Sequence, residues 1–135
     1  MAVLTRKSGY NIAECFRVQS EGVTPVTFMR VLPGTVIERV TVRIETPGTG
    51  VANLTVGDED DADAFILAAD HTAAAGSIYG DATTERGVYL YDATSKGGHA
   101  KLYNAEKDLR LVLSAAGTVQ GVHQVFITGY RYDLG

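Results

Sequence analysis

The chain has 135 residues, 45% of them apolar and 21% charged, with 12 basic against 16 acidic side chains and a net charge of -4. That is the size of one ordinary domain, too hydrophobic for intrinsic disorder and large enough to fold without disulfides or metal. The acid excess, with no basic block beyond Arg6-Lys7, argues against nucleic-acid binding. Neither membrane insertion nor export is expected, because no apolar run approaches the roughly 20 residues that span a bilayer.

In chain order, Met1 to Gly9 reads as an N-terminal arm, with 10–135 as a single domain. Asn11 to Val18 and Val26 to Leu32 are short strand candidates. Cys15, the single cysteine, cannot form an intramolecular disulfide and reads as a small buried hydrophobe, compatible with a chain made in a reducing cytoplasm. Val40 to Glu45 alternates cleanly, which puts Val40, Val42 and Ile44 on one buried face and Arg43 and Glu45 in water. Thr46-Pro47-Gly48-Thr49-Gly50 lacks the Lys-Ser/Thr of a phosphate loop and reads as a hairpin turn before the strand candidate Val51 to Val56. Ala62 to Ala69 is the one helical candidate, with Asp60, Asp61 or Asp63 as its cap. Gly87 to Tyr91 and Ala100 to Tyr103 are further short strands. Leu109, Leu111 and Leu113 mark a second confident strand with Asp108 and Arg110 outward, and Val122 to Tyr132 closes the chain. About eight strands with turns between them predict an all-β antiparallel sandwich, jelly-roll-like in its first form and immunoglobulin-like in its second.

Few groups suggest chemistry. Asp58, Asp60, Asp61 and Asp63 are the only metal candidates, and they miss the calcium-loop template: its sixth and twelfth positions, Gly and Glu, hold Asp63 and Ala69. They read as a solvated turn. His71, His99 and His123 lack close metal-ligand spacing, and no nucleophile elbow is present. No metal, cofactor or enzymatic activity is therefore expected. Tyr89 with Tyr91, and Tyr130 with Tyr132, share strand faces and suit the margin of the core or a subunit interface.

Val51 to Ile66, VANLTVGDEDDADAFI, followed by TAAAG at Thr72 to Gly76, resembles a pattern in small structural proteins of tailed bacteriophages, in which a strand ends in a Gly-Asp turn and passes through Asp-Ala-Asp into an aromatic or aliphatic residue. The Leu-rich strand Asp108 to Leu113, the turn Gly117 to Gly121 and the closing strand Gln124 to Tyr132 extend the likeness. The resemblance implies a head decoration, or cement, protein on the capsid surface of the virion, tying neighbouring major capsid protein subunits together. A homo-oligomer is expected, a trimer first and a dimer second, with Arg6 and Lys7 of the arm as candidate partner-binding residues. The alternative is a receptor- or carbohydrate-binding sandwich of a phage tail or fibre.

Overall fold

A computed structural model of the chain describes residues 8–115 and 121–132. Its strands are β1 (Gly9–Gln19), β2 (Val26–Val31), β3 (Thr35–Thr46), β4 (Asn53–Asp58), β5 (Ile66–Asp70), β6 (Ile78–Tyr79), β7 (Tyr91–Asp92), β8 (Gly97–Gly98), β9 (Lys101–Leu102), β10 (Lys107–Leu113) and β11 (Val122–Tyr132). The alternating segments fold as alternation dictates. Val40, Val42 and Ile44 of β3, Leu109, Leu111 and Leu113 of β10, and Val125 and Ile127 of β11 are all buried, and their odd or even neighbours turn to the opposite face.

The antiparallel strands form two main sheets, ordered β1-β11-β3-β6 and β2-β10-β4-β5, and a small two-stranded sheet of β7 and β8. The short β6 and β9 lie in tandem along the free edge of β3, against Val42-Arg43 and Val36-Ile37 respectively. This interleaved order of eight principal strands is the jelly roll. The inner faces pack as one core of Val, Ile and Leu that also includes the fully buried Phe65. At the side where the edge strands β1 and β2 meet, Phe16 and Phe28 close the gap with ring centroids 5.5 Å apart.

Several local expectations are corrected. Ala62 to Ala69 is not a helix: residues 59–65 form a turn and β5 begins at Ile66. An isolated helix of that length is marginal, whereas here Asp58 captures the turn amides and Phe65 N donates to Val56 O at 2.9 Å. Among the described residues the single helical element is the 3-10 turn Thr83–Glu85. Gly87 to Tyr91 is a loop up to Leu90, because Gly87 N and Tyr89 N bond back to Phe65 O and Ala64 O; only Tyr91–Asp92 pairs, with β8. Of Ala100 to Tyr103, only Lys101–Leu102 is strand. Residues 46–50 are not a hairpin turn, since β3 and β4 belong to different sheets, and Val51 is 99% exposed ahead of β4. Cys15 is exposed. The β1 period sends Phe16 and Val18 inward and therefore Cys15 outward. Gly9, placed in the arm by its sequence, pairs with Tyr132 in β1.

Candidate interaction surfaces

The acidic turn is built on Asp58, the last residue of β4. The chain doubles back so tightly that a Cβ on Gly57 would lie 2.0 Å from Asp61 O. Asp58 is buried, not solvated. Its Oδ1 accepts from the amides of Asp60 and Asp61 at 2.9 and 3.0 Å, and its Oδ2 accepts from Tyr103 Oη at 2.7 Å. Burial and this carboxylate push the Tyr103 phenol pKa far up, so Tyr103 stays a donor.

The other acidic groups take separate partners. Asp60 pairs with Lys107 at 3.1 Å, Glu59 accepts from Asp108 N at 2.8 Å, and Asp61 accepts from Asp63 N at 3.3 Å. The neighbouring Asp61 raises the pKa of Asp63. The carboxylates of Asp58, Asp60 and Asp61 thus engage separate protein donors, Asp63 donates its amide to Asp61, and among the described residues no three His, Cys, Asp or Glu side chains converge as a ligand set. Lys101 lies 4.2 Å from the centroid of Tyr89, which packs edge-on against Phe65 at 5.4 Å. The cluster pins the long 80–106 segment to the sandwich.

At the opposite end, His71 and His123 are fully buried. His71 Nε2 bonds Gly50 O at 3.1 Å, and His71 O accepts from Gly48 N at 2.9 Å. Among the described residues His71 Nδ1 and both ring nitrogens of His123 have no hydrogen-bond partner. Burial and the adjacent His71 lower the pKa of His123 to about 4. Sequence spacing hid this pair, yet the alternation His123, Val125, Ile127 already assigns His123 to the inner face.

The outer face of the β1-β11-β3 sheet is the most interface-like surface. Cys15, Phe126 and Thr41 stand side by side across the three strands, as do Ala13, Thr128 and Arg39, and Arg17, Gln124 and Arg43. Phe126 is 38% exposed at the centre. Arg17 pairs with Glu45 at 2.6 Å, Arg39 pairs with Asp81, and Arg43 donates to Gln124 at 3.1 Å. Tyr130 and Tyr132 follow on the same face, ring centroids 5.3 Å apart. Aromatic residues and arginine are the types enriched in protein interfaces. On the other sheet's β5 edge lies a groove of about 480 Å³ whose lining includes Leu67, Val88, Tyr91, Asp92 and His99. Tyr89 and Tyr91 do not share a strand face, because residues 87–90 are not strand. Arg6 and Lys7 lie outside the described residues.

No protein-family model and no curated protein matches the chain. Solved structures do share the fold. A chain of the cyanophage Pam1 capsid asymmetric unit superposes with a TM-score of 0.62 at 16% identity, covering 96% of this chain and 94% of that one. A chain of the acid-stable capsid of Helicobacter pylori bacteriophage KHP30 superposes with a TM-score of 0.55 at 13% identity, covering 96% and 95%.

Proposed function

We propose that this chain is a structural virion protein of a bacteriophage that decorates the capsid exterior and ties neighbouring major capsid protein subunits together, by binding and without turnover. The observation that carries the reading is the full-length match of its jelly roll to chains from two phage capsid structures, joined to the resemblance in its acidic turn and closing strands. The contact surface assigned to this role is the outer face of β1, β11 and β3, where Phe126 is the apolar centre and Arg17, Arg39 and Arg43 supply directed donors. Arg6 and Lys7 in the preceding arm add cations for acidic groups on the capsid. A capsid repeats the same surface about its symmetry axes, so a closed oligomer, a trimer first and a dimer second, engages equivalent subunits at once. Linked weak contacts then bind durably through their raised effective concentration.

The test is add-back to heads stripped of the protein. Wild-type protein should saturate fixed positions and raise the temperature at which heads rupture. Phe126→Asp should melt like wild type yet bind at least tenfold more weakly, the loss expected of a central interface anchor. Heads equally robust with and without the protein would rule out cementing. The groove along β5 favours a second reading, a receptor- or carbohydrate-binding domain of a tail or fibre. Glycan binding that is lost on Tyr91→Ala, with no binding to heads, would select it.

A further inference from the structure

We propose that His71 and His123 form an acid-sensitive latch that holds the loop end of the sandwich closed when both are neutral and opens it when His123 gains a proton. The inference is independent of the virion reading. His71 is the strap: its ring bonds the carbonyl of Gly50 and its own carbonyl holds the amide of Gly48, so one residue after β5 fixes the 46–50 crossing. For its Nε2 to bond a carbonyl, that nitrogen must carry the ring proton, which leaves Nδ1 as an acceptor. His123 is the sensor. It sits beside a register shift in β11, opposite Val18 and Ile44, and Gly121 lies against its ring, where a Cβ would stand 3.0 Å from Cε1.

A proton on His123 creates a full charge with two N–H donors, and among the described residues neither ring nitrogen has a hydrogen-bond partner. No carboxylate compensates. On β1 and β3, Arg17 and Glu45 pair with each other and Arg43 bonds Gln124, all on the opposite face of the sheet. Glu21, beyond β1, is exposed. Asp70 on β5 is exposed and holds the amide and hydroxyl of Thr72. The segments 47–52, 72–77 and 114–121 contain no ionisable side chain, which leaves His71 as the titratable neighbour, and its effect disfavours a proton on His123. An uncompensated buried charge is avoided by hydration, and the segment that must part to admit water is the 46–50 crossing that His71 straps.

The experiment is a histidine NMR titration of the whole chain from pH 8 to 4, with amide exchange followed in parallel and corrected for intrinsic pH dependence. His123 should titrate below pH 5. Exchange at Gly48 should accelerate at least tenfold between pH 7 and 4.5, with exchange at Val125 in the core unchanged. His123→Leu should abolish the acid response at Gly48. Titration of His123 at or above pH 6.5, unchanged exchange at Gly48, or the same acid opening in a folded His123→Leu variant would each overturn the latch. The measurements on the unsubstituted chain decide the matter should that variant fail to fold.

Discussion

Asp58 and His123 are withdrawn from water to nearly the same degree at opposite ends of the sandwich, and they differ in what surrounds them. Asp58 receives three hydrogen bonds, two from its own turn and one from Tyr103, 45 positions away. His123 receives none from the described residues. Burial of a polar group stabilises only through the partners it finds, and it costs free energy when they are missing. One end of this jelly roll is therefore clamped by its polar group and the other is made conditional on pH by one.

Removing the clamp should have the largest effect. Asp58→Ala strands the amides of Asp60 and Asp61 and the hydroxyl of Tyr103, and should destabilise by about 4 kcal/mol in denaturant unfolding, since bonds to a charged group contribute about 1.5–3 kcal/mol each and water recovers part of the loss. Acid is next. The folded-state pKa of His123 lies near 4, below the unfolded value near 6.5, so its contribution is intact above about pH 6.5 and is lost as pH falls toward 4. The loss reaches about 3 kcal/mol at pH 4, at 1.36 kcal/mol per pH unit. His123→Leu should flatten this part of the pH profile and leave the Asp58 effect untouched, because sites so far apart add.

Tyr103→Phe should cost about 1.5 kcal/mol, one hydrogen bond to a carboxylate that keeps its two backbone donors. The smallest expected effect is that of a chelator. With Asp58, Asp60 and Asp61 committed to protein donors, EDTA should leave the melting temperature unchanged. A fall restored by calcium would show that the turn is a ligand site and that the clamp depends on a cation.

The same comparison shows what was legible in the sequence. Alternation located the strands whose one face is buried, β3 and β10 above all, because a period of two leaves a mark wherever core and solvent alternate. It failed at β5: Ile66-Leu67-Ala68-Ala69 carries no alternating polar residue, and helix and strand are indistinguishable in so short a run. The decisive information was nonlocal, in the edge of β4 that Phe65 and Ile66 join. Cys15 was misplaced because neighbouring residues of an exposed edge strand supply only a weak phase. The acidic turn was recognised as a turn, but its bond to Tyr103 depends on where the 80–106 segment folds back. His71 and His123 were read as separate residues; the phase of β11 placed one of them inside, and only the jelly-roll order brings the other to meet it.

The most direct measurement is a density map of the intact virion at a resolution that shows strands. The jelly roll should appear on the outside of the head, in symmetric groups at repeated lattice positions, with the β1-β11-β3 face against major capsid protein and Phe126 at the contact. Density for the chain on the tail, or a head exterior without it, would contradict the decoration role.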